Sequence, residues 1–413
     1  MIKKHTFIDL FAGCGGLSEG FMASKKFEGL AHVEWEFPMV ETLRKRLIDK
    51  WNHSQEESEK SVIHFDIQKT DELINGSWND ETKAIYGSTN HSDVISKGLK
   101  GLVKEKSVDL IIGGPPCQAY SIAGRAQDKY SMKDDYRNYL FESFVKVVDE
   151  FKPKLFVFEN VPGMLSAKPG GKKVTERVYD AFKEIGYSIN TPQDLKSNVY
   201  SANDFNVPQK RKRLIIVGVR NELSLNLKDI YSAIDNEKSD IKPTIKDAIF
   251  SLPHFRPLCE SKKVNGRNVS HESTDKEVVD GHLARFHNTR DVKIFKNWIK
   301  NDMNNKSTME KINFYNDLLN KKSNHAKYRN LEWDKPSPTI VAHLYKDGLM
   351  FIHPDEKQAR SITIREAALL QSFPFDYKFV GAQGYCYKMI GNAVPPLMAK
   401  AISKGIYKYL TKK

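Results

Sequence analysis

The sequence predicts an α/β fold, a doubly wound and mostly parallel sheet joined to a second, smaller and irregular domain. In the first 220 residues, short apolar runs alternate with segments whose apolar residues recur at helical spacing. Strands rich in Ile, Val, Leu and Phe that alternate with helices are typical of a parallel sheet covered on both faces. After about residue 223 this alternation is lost and the chain becomes more basic, which indicates a second domain.

Each predicted element follows from one of these runs. Buried strands are expected at HTFIDLF, GLAHVEW, SVIHFDI, SVDLIIGG, KLFVFEN and RLIIVGV. Helices are expected at LSEGFMASKK, PMVETLRKRLIDKW, YRNYLFESFVKVVDEF and KVTERVYDAFKEIG. The polar stretch 69–106 is interpreted as a surface insertion between two strands. The first domain is predicted to span 1–222, completed by a C-terminal helix within 384–413, and the second to span 223–383.

Charge narrows the class of partner. The 413 residues contain 65 Lys and Arg against 52 Asp and Glu, a net charge of +13, which is typical of polyanion binders and above all of nucleic-acid binders. Residues 251–330 alone hold 16 basic and 9 acidic residues. No apolar run reaches 18 residues and no secretory leader is expected, so we predict a cytoplasmic protein with no membrane partner. The four cysteines are far apart, which argues against a zinc motif or a disulfide scaffold, and no metal is expected.

A glycine-rich turn follows the first predicted strand. Its spacing is Gly13-x-Gly15-Gly16 rather than the GxGxxG that cradles a dinucleotide pyrophosphate, which argues against a nicotinamide oxidoreductase. Glu34 ends the second strand, where a carboxylate can accept both hydroxyls of a ribose. Trp35 can stack on an adenine and Asp66, after the third strand, can accept from its amino group. Each acid alone could be a solvated strand end, but together they indicate a nucleoside site that suits S-adenosylmethionine.

The fourth predicted strand ends in Gly-Gly-Pro-Pro-Cys117, and the glycines and prolines stop the sheet. A lone cysteine is most often a small buried hydrophobe. Here the two prolines place Cys117 in a loop at the ligand-binding edge, and the polar segment 118–136 is predicted to form a lid.

These segments resemble the cytosine-C5 DNA methyltransferases. The resemblance is carried by FIDLFAGCGGLSEGF and GGPPCQAYSIAGR, followed in order by DYRN, FENVPG, VPQKRKR, IREAA with QSFP, and IGNAVPP. It covers residues 5–67, 107–220 and about 330–405. Cys14 stands where the family often has leucine, a mild departure that we interpret as a packing change.

The resemblance implies a mechanism. Cys117 would attack C6 of cytosine, which makes C5 nucleophilic. Glu159 would share a proton with N3 and accept from the N4 amino group, while Arg213 would bind O2 and Arg211 would support the site. The methyl group comes from S-adenosyl-L-methionine, leaving S-adenosyl-L-homocysteine, and the cytosine must be flipped out of the duplex.

Further site residues follow from the same motifs. The predicted cofactor-binding residues are Asp9, Phe11, Gly13, Cys14, Gly15, Gly16, Glu34, Trp35, Asp66, Ile67, Pro115, Asn392 and Val394. The predicted DNA-contacting residues are Gln118, Ser121, Arg125, Gln209 and Thr339. In the variable region that the family uses for target recognition, Arg256, Arg267, Arg285 and Arg290 are candidates for phosphate contacts or solvated charges.

The predicted function is therefore methylation of C5 of a flipped-out cytosine in a specific duplex DNA sequence, as the modification enzyme of a restriction system. We expect a monomer, associated with the nucleoid through DNA, with a restriction endonuclease that would act independently. One alternative is a tRNA cytosine-C5 methyltransferase, although the Cys-Phe-Thr signature of that branch is missing. Another is a DNA-binding module without activity, against which Cys117 and Glu159 argue.

Overall fold

The computed structural model describes residues 4–104, 106–116, 140–264, 266–320, 322–325, 327–346 and 348–411. The chain divides into two compact units. The first, here called the sheet unit, comprises Met1–Asn206, Arg211–Ile241 and Ala393–Lys413. The second, the small unit, comprises Val207–Lys210 and Lys242–Asn392. Residues 223–241 thus lie in the sheet unit and 384–392 in the small unit, whereas the sequence predicts the boundaries at 222/223 and 383/384.

The strands are numbered in chain order. They are β1 His5–Leu10, β2 Phe27–Glu34, β3 Val62–His64, β4 Leu110–Gly113, β5 Leu155–Asn160, β6 Tyr187–Ser188, β7 Val199–Ser201, β8 Gln209–Lys210, β9 Lys212–Arg220, β10 Phe255–Val264, β11 Arg267–Ser273 and β12 Ser337–Pro338.

The helices are numbered in the same way. They are α1 Gly16–Ala23, α2 Phe37–Trp51, α3 Gln55–Ser61, α4 Thr70–Asn75, α5 Asp80–Tyr86, α6 Ser92–Val103, α7 Leu140–Phe151, α8 Val174–Glu184, α9 Leu227–Asp235, α10 Ile245–Ile249, α11 Thr289–Lys300, α12 Thr308–Leu319, α13 Ile364–Leu370, α14 Gln383–Asn392 and α15 Pro396–Leu410.

The central sheet of the sheet unit confirms the predicted fold class. Its strand order is β3-β2-β1-β4-β5-β9-β6, with β7 also paired to β9. The five strands from β3 to β5 are parallel, and β9 runs antiparallel to β5. The strand residues Ile111 and Phe156 are fully buried, as expected for a sheet with both faces covered.

The stretch 69–106 is not a surface insertion, so that interpretation was wrong. It forms α4, α5 and α6, and the side chains of Leu73, Trp78 and Leu99 are buried in the core beside the sheet. Periodicity missed these helices because two of them have only six or seven residues and α6 is kinked at Gly98, where φ is 57°. Few apolar residues are therefore available in any one window to reveal a helical period.

The C-terminal helix α15 returns to the sheet unit and packs against α1 and α9. A Cβ on Gly20 would lie 2.4 Å from Cβ of Ala399, so α1 and α15 approach each other where a side chain is missing. In the same way, a Cβ on Gly405 would lie 2.8 Å from Cγ1 of Ile234 on α9. The C-terminus therefore completes the layer of helices on one face of the sheet.

The small unit lacks a large sheet among its described residues. It contains the antiparallel hairpin β10–β11 and the two-residue parallel pair β8–β12. Half of the buried residues of one of its cores are aromatic, including Phe295 and Trp298 of α11 and Tyr328. A buried ion pair joins Arg360 to Glu366 at 2.6 Å. In the described part of the chain, no helix combines the length and the apolar character needed to cross a lipid bilayer.

Candidate active site

The candidate site lies at the carboxyl edge of the parallel strands. β1 is flanked by β2 on one side and β4 on the other, so the strand order reverses direction between β1 and β4. In open α/β sheets ligands bind in the crevice at such a switch point, outside the carboxyl ends of the strands. The turns that follow β1, β2, β3, β4 and β5 therefore define where a ligand would bind.

The turn after β1 is shaped by left-handed backbone conformations. Phe11, Gly13 and Gly15 have φ values of 61°, 58° and 83°, and for a bulky residue such as Phe11 this conformation is strained. A Cβ on Gly13 would meet nothing within 4 Å among the described atoms, so the backbone there faces open space. Such an opening beside a helix N-terminus lets a ligand approach the main chain closely.

The next three predicted cofactor residues are enclosed by protein. A Cβ on Gly16 would lie 2.3 Å from the carbonyl oxygen of Val394, so the first residue of α1 packs directly against the backbone that precedes α15. Cys14 is buried, with 1% of its surface exposed, which agrees with a packing role at this position. Gly16 and Val394 thus shape the wall of the turn.

Glu34, at the end of β2, is held at this edge by three backbone hydrogen bonds. Its Oε2 accepts from the backbone N–H of Gly13 at 2.8 Å, and its Oε1 accepts from those of Trp35 and Glu36 at 2.9 Å each. Burial raises the pKa of Glu34 to about 7, although these three N–H donors act in the opposite direction. A carboxylate has about four acceptor positions, so one position on Oε2 remains for a ligand.

The residues after β2 and β3 lie next to Glu34. The Trp35 side chain is 53% exposed, as a stacking platform must be. The carbonyl of Trp35 contacts Nε2 of His64 at 2.9 Å, which ties the end of β2 to the end of β3. Asp66 is half-buried and accepts from the backbone N–H of Gln68 at 3.0 Å. Ile67, next to it, is buried.

Asp9, which the sequence predicts to bind the cofactor, does not lie on the open surface of the turn. The side chain is completely buried, with Oδ2 accepting from the Ser18 hydroxyl at 2.5 Å, and Ser18 also contacts Nδ1 of His32 at 2.8 Å. Burial raises the pKa of Asp9 to about 7 and lowers that of His32 to about 3. This polar network joins β1, α1 and β2 beneath the turn, and sequence patterns gave no signal for Ser18 or His32.

A second cluster lies at the ends of β4, β5 and β9. Glu159 is buried, and its Oε1 pairs with Nε of Arg213 at 2.6 Å. A Cβ on Gly114 would lie 2.6 Å from Oε2 of Glu159, so only glycine leaves room for this carboxylate. Asn160 donates to the carbonyl of Pro115 at 3.3 Å. The structure thus brings the segment that leads to position 117 together with the predicted Glu159 and Arg213.

Arg211 and Gln209 are much less accessible than the sequence suggests. Arg211 has 1% of its surface exposed, and its backbone carbonyl accepts from Ala202. Gln209 is completely buried in the small unit, where its amide group donates to Gln371 at 2.5 Å and accepts from the Ile340 N–H at 3.0 Å. The Gln209 side chain is therefore committed to folding the small unit, which corrects the prediction of a DNA contact.

Two other predicted positions, Thr339 and Asn392, lie in the small unit, and the remaining predicted positions are outside the described residues. The Thr339 hydroxyl donates to the carbonyl of Lys210 at 2.8 Å, within the pair of strands β8 and β12. Asn392 is the exposed last residue of α14. Cys117, Gln118, Ser121 and Arg125, and with them the predicted lid 118–136, lie outside the described residues.

Comparison with known proteins decides the family. A family model for C-5 cytosine-specific DNA methylases matches residues 5–77 and 78–408, which is nearly the whole chain. The chain belongs to the C-5 cytosine-specific DNA methylase family. The resemblance found in the motifs is thereby confirmed, together with the predicted enzyme class of DNA cytosine-5 methyltransferase.

Individual relatives agree with this family. The chain is 37% identical to the type II methyltransferase M.Bpa9945I of Bacillus paralicheniformis, over 97% of this chain and 98% of the relative. It is 30% identical to the type II methyltransferase M1.HphI of Haemophilus parahaemolyticus, over 98% and 87%. A solved structure from an Escherichia coli prophage shares the fold, with a TM-score of 0.63, 24% identity and coverage of 99% and 100%.

Membership in the C-5 cytosine-specific DNA methylase family implies catalysis that depends on S-adenosylmethionine and acts on DNA. The open turn at Gly13 and the free acceptor position on Glu34 fit such a cofactor. Among the described side chains, no group of three or more His, Cys, Asp and Glu residues is arranged to hold a metal ion.

Proposed function

We propose that this C-5 cytosine methylase modifies one specific duplex DNA sequence through a covalent adduct between Cys117 and C6 of a flipped-out cytosine. The observation that carries the proposal is the Glu159–Arg213 ion pair beside the Gly114–Pro115 backbone. The pair combines an acid and a cation at the sheet edge, beside Gly114 and Pro115, and Pro115 is two residues before Cys117 in the sequence.

Cys117, Glu159 and Arg213 each have one role in the proposed reaction. The Cys117 thiolate adds to C6 of cytosine, and negative charge develops toward N3 and O2. Glu159 hydrogen-bonds at N3 and N4, and Arg213 donates to O2, which stabilises this charge where it forms. After C5 has gained its methyl group, loss of the C5 proton and of the Cys117 sulfur restores the aromatic ring.

The cofactor would be held at the other half of the edge. S-adenosylmethionine supplies the methyl group from its sulfonium. We propose that the remaining acceptor position of Glu34 binds a ribose hydroxyl, and that Trp35 and Asp66 hold the adenine. The open backbone at Gly13 would receive the amino-acid part of the cofactor. Uncharged walls of this site would be formed by Phe11, Cys14, Gly15, Gly16, Ile67, Pro115 and Val394.

The biological role is proposed from the same family. The relatives named above are type II methyltransferases, and we propose that this chain is likewise the modification enzyme of a restriction system. Its partner endonuclease would act independently on the same sequence. The small unit, with the basic segment 251–330, would recognise the DNA, and the net charge of +13 favours phosphate contacts.

The covalent step can be tested with a duplex that carries 5-fluorocytosine at the target. Fluorine cannot leave as a cation, so the wild-type enzyme with S-adenosylmethionine is expected to stay attached to the DNA in a denaturing gel. The same duplex with ordinary cytosine, and the Cys117→Ser variant, should give no such band. The target itself is found by bisulfite sequencing of DNA from cells that express the protein. An active enzyme that leaves no trapped complex would refute the covalent mechanism.

A further inference from the structure

The hairpin β10–β11 is anchored in the small unit only at its base. Phe255 is buried at one end of β10, and Ser270 and His271 are buried on β11. His271 contacts the carbonyl of Gln358 through Nε2 at 2.9 Å, and the Ser270 hydroxyl accepts from the His287 N–H at 2.9 Å. These contacts fix the direction in which the rest of the hairpin leaves the unit.

Beyond the base, both faces of the hairpin are uncovered. All six residues from 259 to 264 on β10 are exposed, although successive side chains of a strand point to opposite faces. The pairing changes register between Pro257–His271 and Lys262–Val269, which leaves residues 258–261 opposite a single residue, Ser270. A bulge of this kind bends the strand and strengthens its twist, so the outer part is re-aimed relative to the base.

The four candidate arginines of this region differ in whether their side chains are bound to other residues of the small unit. Three are engaged within the small unit: Arg256 pairs with Glu272 at 2.6 Å, Arg290 pairs with Asp291 at 2.9 Å, and Arg285 donates to the carbonyls of Leu344 and Tyr345. Arg267 is exposed, and the residues that the structure describes offer it no ion pair or side-chain hydrogen bond.

The outer part of the hairpin carries a charged and an apolar group side by side. Arg267 is paired across the ladder with Val264, which is 44% exposed, so the two side chains share a face. The next pair, Lys263 and Asn268, occupies the opposite face. Lys262, on the Arg267 face, is bound to Glu272 at 3.2 Å.

We propose that the β10–β11 hairpin enters the major groove of the target DNA and that Arg267 reads base edges there. The major groove is about 12 Å wide and admits a two-stranded β-ribbon. A free guanidinium suits the two acceptors of guanine, and an adjacent exposed valine suits the methyl group of thymine. Lys263, on the other face, suits the phosphates. This inference rests on the proposed role of the small unit in DNA recognition.

Sequence preference can be measured without catalysis, by selecting bound duplexes from a randomised DNA library with the full-length protein. We expect Arg267→Ala to lose the preference at one or two base pairs, and to lower the ratio of target to altered-target affinity roughly five- to a hundredfold. Lys263→Ala should keep the selected sequence, weaken binding to all duplexes alike and reduce the salt slope by about one. Lys183→Ala, which removes an exposed lysine of α8 in the sheet unit, outside the segment 251–330, is the matched control and should resemble the wild type.

The possible outcomes separate the two proposals. If Arg267→Ala selects the same sequence as the wild type, or if Lys183→Ala changes the selection as much, the hairpin does not read the bases. A wild-type protein that selects no sequence would also overturn this inference. If a sequence is selected but bisulfite sequencing finds no methylation there, the catalytic proposal fails while the role of the hairpin stands. Retained binding of S-adenosylhomocysteine by each variant shows that the sheet unit is intact.

Discussion

At the sheet edge, Glu34 and Glu159 are held by opposite means. Glu34 accepts from three backbone N–H groups, which fix its carboxylate without any positive side chain in those contacts. Glu159 is held by the guanidinium of Arg213. The first arrangement suits recognition of neutral hydroxyl donors, and the second suits a group that must respond to charge as it develops on a bound ring.

Replacing Glu159 with Gln should lower the single-turnover rate of methyl transfer roughly 10²–10⁴-fold, because the variant has no carboxyl to serve N3. The rate can be followed with radioactive methyl groups, and the affinity for S-adenosylhomocysteine should stay within a fewfold. Glu222→Gln, which removes an exposed carboxylate paired with Arg220 at the far end of β9, is the matched control and should keep full activity. A Glu159→Gln enzyme with more than a tenth of the wild-type rate would contradict the assigned role.

Cofactor affinity should rise with pH through about 7. Burial raises the pKa of Glu34 to about 7, so the acceptor form that binds a ribose hydroxyl is lost as the pH falls below this value. The affinity for S-adenosylhomocysteine, measured by calorimetry between pH 5.5 and 8.5, should fall by up to about tenfold per pH unit on the acid side. Glu34→Gln should bind weakly at every pH with a flatter profile, and an unchanged slope in that variant would show that another group titrates.

At the scale of the elements, α1 and α15 can pack closely because Gly20 has no side chain. Glycine lowers the intrinsic stability of a helix, since alanine is favoured over it by about 1 kcal/mol in a helix interior. The glycine at position 20 is explained by packing between helices, because a Cβ there would overlap Ala399 and the carbonyl of Pro396. The layer that covers this face of the sheet therefore depends on how closely its two helices approach.

Gly20→Ala should destabilise the protein by about 1–3 kcal/mol, because overpacking outweighs the gain in helix propensity. Urea unfolding followed by circular dichroism measures this change. Gly87→Ala serves as the control, since a Cβ there would meet its nearest neighbours at 3.7 Å and beyond, an ordinary contact distance. If Gly20→Ala unfolded at the same urea concentration as the wild type, α1 and α15 would be less tightly packed than described.

At the scale of the whole molecule, several buried histidines of the described residues contribute to the acid response. Burial lowers the pKa of His32, His287 and His353 to about 3 and that of His271 to about 4. These groups take up protons near pH 6.5 in the unfolded chain but not in the folded one. Their contribution to stability is therefore present above pH 6.5 and is lost as the pH falls toward 4. Asp9 and Glu34, whose pKa values are raised, act in the opposite direction over the same window.

Because histidines with lowered pKa values outnumber the two carboxyls with raised ones, the free energy of unfolding should fall as the pH decreases from 6 to 5. Urea midpoints across this range measure the slope. His287→Gln should make the slope shallower, because one proton fewer is taken up on unfolding. Asn324→Gln changes an exposed residue that does not titrate and should leave the slope unchanged. Equal slopes in all three proteins would rule out this explanation of acid sensitivity.

The sequence predicted the sheet well because its strands are continuous apolar runs, and the site partly because strand ends of a parallel sheet share one edge. It failed where the deciding contact is distant in the chain. Gln209 looks like a polar DNA contact until its bond to Gln371, 162 residues away, is seen. Asp9 looks like a ligand residue until Ser18 and His32 enclose it. The helices in 69–106 were missed because two of them are too short to show a period and the third, α6, is kinked at Gly98.

The proposed role of the small unit in DNA recognition, together with the division of the chain, constrains any exchange of specificity between enzymes of this family. The small unit is not a simple cassette between residues 242 and 392, because the four residues 207–210 belong to it as well. A chimera spliced only at 241/242 and 392/393 would keep the host's own β8, so the host's Gln209 would face foreign residues at positions 337 and 340. Under this proposal a working graft would have to carry both pieces, and an exchange of target specificity would need four crossover points in this chain.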